Sequence, residues 1–306
     1  MMYPSIVGIG ANVCDTLITV PHFPVEDTKL RAHGVTLSGG GPCATGLVAA
    51  AKLGSTAAYI GALACDAPGR FLLEDMKRFG LCCDYVKEDP GAVSFSSYIL
   101  LSEESGSRTC VFTKSNLPSF RLDSADIEAI KKSDILMVDG NELDNAVLAA
   151  KTARKAGVPV LYDAGGMYDG IERLLELTDI LIPSEDFAIR FTAKGNAEDA
   201  AIALYERFRP KILVVTQGKN GGILLTDNGE LKRYPAFHVD TIDSNGAGDV
   251  FHGAFAHAIV TGMTPEAACV FSSAVSALKC TRLRARDGVP HKDKVYEFLK
   301  ENGYEL

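Results

Sequence analysis

The chain has no run of basic residues. Its 306 residues carry 31 Lys and Arg against 39 Asp and Glu, a net charge of −8. That balance argues against nucleic acid as the main partner. It leaves room for a phosphate-bearing ligand, because backbone N–H groups bind anions even in an acidic protein. No apolar stretch is long enough to span a bilayer, so no membrane partner is expected. Met1 to Gly10 is too short and glycine-rich for the hydrophobic part of a leader peptide. The eight cysteines (Cys14, Cys43, Cys65, Cys82, Cys83, Cys110, Cys269, Cys280) form no C-x-x-C pair, and reduced thiols in a cytoplasmic protein are the simpler expectation. There is no interdomain linker, repeat or low-complexity tract. None of His22, His33, His238, His252, His257 and His291 has metal-ligand spacing with carboxylates or cysteines. What remains is an ordinary globular composition, 47% hydrophobic and 23% charged. Such a chain can bury a core with a pocket in it.

Strand-like and helix-like segments alternate along most of the sequence. Ser5–Gly10, Thr56–Gly61, Asp134–Val138, Val158–Tyr162, Ile180–Pro183 and Lys211–Thr216 are short apolar runs. Ala44, Leu47, Val48 and Ala51 recur at helical spacing before a stop at Gly54, and Leu72, Met76 and Phe79 mark a helix between Pro68 and Gly80. This pattern predicts an α/β fold, a mostly parallel sheet covered by helices. Two regions break it. Asp15–Ser38 has little helical periodicity, and Val93–Phe112 reads as two strands around the turn Glu104-Ser-Gly106. The expectation is one domain over residues 1–306 with a small β appendage.

The segment Asp243-Ser-Asn-Gly-Ala-Gly-Asp-Val-Phe-His-Gly-Ala254 carries the strongest chemical signal. Gly246, Ala247 and Gly248 open a helix, where unpaired N–H groups and the helix dipole suit a phosphate. An acid at an anion site needs a reason. Asp249 either complements the dipole of its helix or accepts the proton of a hydroxyl attacking a phosphoryl group. Leu37-Ser-Gly-Gly-Gly-Pro-Cys-Ala-Thr-Gly-Leu-Val48 is a second glycine-rich turn before a helix; it lets backbone approach a ligand, or serves only as a tight strand–helix turn. No Gly-Lys-Ser/Thr follows, so it is not a P-loop. Gly8-Ile-Gly-Ala-Asn-Val13 has two of the three glycines of a dinucleotide fingerprint, with Val13 at the third, and strand-like sequence follows it.

Together the two glycine motifs resemble the ribokinase (PfkB) family of carbohydrate kinases. The residues Asp243–Ala254 match the pattern D-x-x-G-A-G-D-x-F-x-G-A, and Gly40–Thr45 match G-G-x-x-x-N with variation. The resemblance implies a ribokinase-like three-layer α/β/α fold with a β-sheet lid from residues near 15–38 and 93–112. It implies ATP and Mg²⁺ as co-substrates, with a monovalent cation beside the anion hole, and a homodimer through the lid. By resemblance Asp249 is the base, and Gly246, Ala247 and Gly248 form the anion hole. Asn12, Asp15, Gly40, Gly41 and Thr45 hold the sugar, and Arg108 on the lid touches it. Ser184, Thr216, Gly218, Gly221 and Ser273 lie on the nucleotide side. Glu185 is the carboxylate near Mg²⁺, and Asp243 a ligand of the monovalent cation.

Three departures shape the expectation. Thr45 stands where the family has Asn, which removes a donor–acceptor pair and should leave extra room. Ser184-Glu-Asp-Phe187 replaces the family's N-x-x-E, so its final carboxylate is absent. Arg284 stands where a glycine is expected after Thr281-Arg282, and its guanidinium could displace the cation or supply its charge. The function expected is ATP-dependent phosphorylation of a sugar hydroxyl, with a fructose-type ketose, 6-substituted ones included, favoured. The alternatives are a ribose or nucleoside kinase, a weakly catalytic sugar sensor, and an NAD-dependent oxidoreductase using the Gly8 motif.

Overall fold

The computed structural model describes residues 3–117 and 120–306. Met1 and Met2, at the head of the stretch weighed as a leader, lie outside the described residues. The chain begins with β1 (Ile6–Ile9), then leaves the body for β2 (Val13–Val20) and β3 (Gly34–Gly40). It returns through α1 (Pro42–Leu53), β4 (Ala57–Tyr59), β5 (Gly61–Ala64), α2 (Ala67–Arg78) and β6 (Val86–Asp89). A second excursion forms β7 (Ser96–Ser102) and β8 (Arg108–Thr113). Then follow α3 (Ser124–Lys132), β9 (Ile135–Val138), α4 (Leu143–Lys155), β10 (Val160–Ala164), α5 (Glu172–Leu175) and β11 (Ile180–Pro183). Next come α6 (Glu185–Thr192), α7 (Ala197–Phe208), β12 (Ile212–Thr216), β13 (Gly222–Thr226) and β14 (Leu231–Tyr234). Four helices complete the chain: α8 (Ala247–Val260), α9 (Pro265–Cys280), α10 (Ala285–Gly288) and α11 (Lys292–Glu301).

Eight strands form the central sheet in the order β14-β13-β12-β11-β10-β9-β1-β4. Neighbours from β4 to β12 run parallel, and β13 and β14 are added antiparallel. Parallel strands are covered on both faces, so their residues are apolar without alternation. The four residues of β9, Ile-Leu-Met-Val, are all buried. One core packs α1, α8 and α9 on one face of the sheet; the other packs α4 and α7 on the opposite face. The ribokinase-like architecture expected from the motifs is the one observed.

The two irregular β regions meet in a separate sheet ordered β3-β2-β7-β8. Its outer face shows Val35, Leu37, Tyr98 and Val111, between 48% and 65% exposed. On the opposite face one row crosses all four strands: Ser38, Asp15, Ser97 and Phe112 are successive cross-strand partners. The structure differs from the sequence reading at two boundaries. The run Thr56–Gly61 is not one strand; it breaks at Ile60 into β4 and β5, which belong to different sheets. Helix α2 begins at Ala67, two residues before a start after Pro68, because the Asp66 carboxylate caps the Gly69 N–H at 2.8 Å.

Candidate active site

Helices α1 and α8 place the two glycine motifs side by side. A Cβ on Gly253 of α8 would land on the backbone of Gly46 in α1, so only glycine permits this approach. The crossing sets the N-terminus of α8 next to the turn that opens α1. At that turn Gly41 has φ +88°, and a Cβ there would stand 2.6 Å from Ala11 O. A Cβ on Gly40 would collide with the Asp15 carboxylate. Asp15 is therefore admitted by its neighbour's missing side chain. It accepts a hydrogen bond from Ser97 Oγ at 2.6 Å, and burial raises its pKa.

The first turn of α8 begins at Gly246, in the left-handed region at φ 72°. Ala247 N donates to Ser244 O at 3.2 Å. Among the described residues no acceptor meets the N–H groups of Gly246, Gly248 or Asp249. The open donors are thus one residue either side of Ala247 and that of Asp249 itself, a small shift from the expected triplet. Among the described residues the Asp249 carboxyl has no hydrogen-bond partner. Its pKa is pushed up to about 7, first by burial and then by the charge of Asp163, while His252 pulls it down. Asp163 Oδ2 lies 3.3 Å from His252 Nδ1, but that nitrogen's nearest partner is Gly248 O at 2.6 Å. Nε2 of the same ring is 3.0 Å from Ile182 O. His252 so links the first turn of α8 to the end of β11. The dinucleotide reading fails locally: β1 leads into a strand, and a Cβ on Gly8 would meet the side chains of Leu47 and Cys43.

Beside this turn opens a cleft of about 410 Å³ between β12–β14 and helices α8 and α9. Thr216, Gly218, Gly221 and Ser273, the residues that the resemblance assigns to the nucleotide side, line it together with Gly248. Phe237, His238, Val239 and Ala277 complete its walls and were not singled out in the sequence, since apolar walls carry no motif. Ser184 caps its own helix α6 through Phe187 N at 3.2 Å. Phe187, at the position of the missing carboxylate, is buried in the core. Glu185 stays half-buried and accepts from Gln217 Nε2 at 2.9 Å, next to Thr216. Among the described residues no three His, Cys, Asp or Glu gather into a metal site. A Mg²⁺ here would be carried by phosphates and water, with Glu185 the carboxylate within reach.

Four expectations change. The room beside Thr45 is not open. Arg286, fully buried, fills it and donates to Thr45 Oγ1 (3.5 Å), Asn12 Oδ1 (2.8 Å), Gly40 O (2.6 Å) and Asp75 Oδ2 (2.8 Å). Asn12 and Thr45 thus sit at the expected place with their oxygens already engaged. Arg108 shares the face of Asp15 but lies four residues along β8 from Phe112, roughly 13 Å. It is exposed. Phe112 takes its place in the row of Asp15, as the neighbour of Ser97. Arg284 does not supply a cation: its side chain turns outward, 3.6 Å from Asp287, and only its N–H reaches Asp243 Oδ2, at 2.8 Å. Asp243 is no open cation ligand either. Its other carboxylate oxygen accepts from Asn245 N at 2.8 Å, and its carbonyl from the buried Lys279 Nζ at 2.7 Å. Arg286 was not singled out in the sequence, and neither was Asp139. Asp139 accepts N–H groups from Ala11 (2.8 Å), Cys43 (3.0 Å) and Asn141 (2.9 Å), stitching together three chain segments under the site.

Comparison with known proteins agrees with this layout. Residues 4–292 match the pfkB family carbohydrate kinases. The chain is 26% identical to a ribokinase of Haemophilus influenzae, over 98% of this chain and 99% of that one. It is equally 26% identical to a deoxyribokinase of Salmonella typhimurium, over 97% and 99%. Among solved structures, Arabidopsis thaliana ribokinase complexed with ribose and ATP superposes with a TM-score of 0.87 at 25% identity, covering 98% and 99% of the two chains. Ribokinase from Thermotoga maritima gives 0.84 at 26%, covering 97% and 100%.

Proposed function

The chain belongs to the pfkB family of carbohydrate kinases, ATP-dependent enzymes that act with Mg²⁺, and from that membership we propose that Asp249 deprotonates a sugar hydroxyl as it attacks the γ-phosphate of ATP. The observation that carries this reading is the Asp249 carboxyl itself, unpaired, with its pKa raised to about 7, in the first turn of a helix whose N–H groups are open. A base is most useful when its pKa is close to the working pH. The open N–H groups of Gly246 and Gly248, at the positive end of α8, stabilise charge on the transferring phosphoryl group. Thr216, Gly218, Gly221 and Ser273 border the nucleotide, and the adenine end lies among Phe237, Val239 and Ala277. Mg²⁺ neutralises the polyphosphate when bound.

The acceptor is a small furanose-forming sugar. Asp15 accepts from its hydroxyls, and the ring of Phe112 offers an apolar wall across the same row. Kinases of ribose and deoxyribose, and of 5-dehydro-2-deoxygluconate, occur among the relatives. They support ribose as fully as the fructose-type ketose expected from the Gly40–Thr45 variant. The filled space beside Thr45 removes the argument for a bulkier substrate. The outer lid face, with Val35, Leu37, Tyr98 and Val111 exposed, fits pairing with a second copy of this chain. The deciding experiment measures sugar-dependent ADP release over ribose, deoxyribose, fructose, 6-substituted fructoses and nucleosides, with wild type and Asp249→Asn. A panel in which no sugar raises ADP release above the sugar-free rate refutes the reading.

A further inference from the structure

Lys279 is the feature that the reaction as described does not use. It lies one residue before the end of α9, and its side chain is fully buried. Burying an ammonium is costly unless oxygen atoms surround it. Its Nζ is 2.7 Å from Asp243 O and 3.7 Å from Asp243 Oδ2. Burial pulls its pKa down, and the Asp243 carboxylate pulls it back up. Both are hard oxygen atoms of Asp243, the ligand type that hard cations take.

The neighbours of Lys279 on α9 act on the same loop. Cys280 O accepts the N–H groups of Ile242 (2.8 Å) and Asp243 (3.1 Å). One turn earlier, Ser276 Oγ donates to Ala247 O at 2.5 Å. The last turn of α9 thus holds both ends of the segment 242–247 that shapes the anion hole. From the other side Arg284 N closes on Asp243 Oδ2, and Ala285 packs over Gly246, where an added Cβ would lie 2.5 Å away.

We propose that Lys279 is a tethered cation of the anion hole: its ammonium occupies the oxygen site at Asp243, holds the 243–249 turn in its phosphate-binding shape, and makes the enzyme independent of alkali cations. Lys279 is a positioning residue, since it touches the loop and not the substrate. An ion from solution must be bound anew at each site and is lost at low salt, whereas a covalently held ammonium is always present.

The proposal rests on the kinase reading, and two measurements separate them. Turnover is compared in KCl, NaCl and tetramethylammonium chloride at equal ionic strength. Wild type is expected to keep its kcat within about twofold in all three. Lys279→Met is expected to lose roughly 10²-fold in tetramethylammonium, the scale of removing one preorganised anion-hole contribution, and to regain at least about tenfold in KCl. Thermal melting without nucleotide or sugar reads the site apart from activity: KCl should raise the midpoint of Lys279→Met over tetramethylammonium, and leave wild type unmoved. A wild type that loses more than about tenfold on removal of K⁺ overturns the proposal, as does a specific K⁺ stabilisation of wild type. Both arms need no variant, so a misfolded Lys279→Met does not shelter the idea. Failure of every sugar in every salt refutes the kinase reading, while the melting comparison still judges Lys279.

Discussion

Replacing Arg286 by methionine removes a buried guanidinium but keeps an apolar stem of similar length. Asp75 is not stranded by the change, because Arg78 Nη2 also reaches it at 2.8 Å. The stranded groups are Gly40 O and Asn12 Oδ1, whose bonds to Arg286 measure 2.6 and 2.8 Å, with Thr45 Oγ1 a weaker third at 3.5 Å. Each buried acceptor left without a donor costs about 1–3 kcal/mol, and a broken buried ion pair falls in the range of about 3–5 kcal/mol. We expect a loss of about 3–5 kcal/mol in all. Unfolding entropy of about 2.1 cal/mol/K per residue over 306 residues makes this a melting-point drop of roughly 5–8 °C. The kinetic effect should be one-sided. In the proposed assignment Gly40 and Asn12 stand on the sugar side, whereas the cleft assigned to the nucleotide is built from β12–β14, α8 and α9. The sugar KM should rise at least about tenfold with the ATP KM within about twofold. The assays are a circular-dichroism melt and steady-state kinetics with each substrate varied in turn. A melting point within about 2 °C of wild type, together with an unchanged sugar KM, would show that Arg286 neither holds the lid base nor shapes the pocket.

Other outcomes follow from the same geometry. Asp249→Asn should lower kcat by roughly 10²–10⁴ with little change in sugar Kd; a variant with half of wild-type kcat removes Asp249 as the base. Because the folded Asp249 carboxyl titrates near pH 7 and not at its ordinary 3.8, kcat/KM should fall about tenfold per pH unit below 7, and a flat profile from pH 5.5 to 8 contradicts the assignment. The raised value also means that stability held at pH below 3.8 is lost as pH rises through 7, so Asp249→Asn should melt higher than wild type at pH 8 and equally at pH 4. Gly248→Val should leave the circular-dichroism spectrum intact, since no atom lies within 4 Å of an added Cβ, yet stop ATP turnover by filling the phosphate approach; surviving turnover would place the phosphate elsewhere. Amide exchange over residues 96–113 should slow when sugar binds, and unchanged exchange would remove the lid from the site.

What could be read from sequence was local. Asp243–Ala254 is a contiguous turn and helix start, so the residues proposed as anion hole and base lie together in one stretch of sequence. The parallel sheet was legible because strands such as Ile180–Pro183 are buried on both faces and must be apolar throughout. Thr56–Gly61 was misread for the same reason: an apolar run does not show where the chain turns from one sheet to another. The residues that organise the site act across long separations. Arg286 meets Thr45 from 241 positions away, and Asp139 meets Ala11 from 128. An arginine in a short helix and an aspartate after a strand look ordinary until the fold brings their partners in. Thr45 illustrates the cost of reasoning from one position, because the space it vacates is taken by a side chain from the other end of the chain.

The lid sheet has a consequence for synthesis. Its central strand β2 lies between β3, which follows it closely, and β7, whose Ser96 pairs with Cys14 across 82 intervening steps of chain. While the protein is being translated, the β2–β3 hairpin is finished long before β7 has left the ribosome, and one edge of β2 waits with its backbone groups unpaired. Sequence-distant pairing of this kind is slow to form, and an open strand edge invites association with other chains. The body of the enzyme has no such delay in its β10–β12 units, whose neighbours emerge in order. Expression at lower temperature or slower synthesis should therefore help this chain most through its first hundred residues, the span before β8 closes the lid.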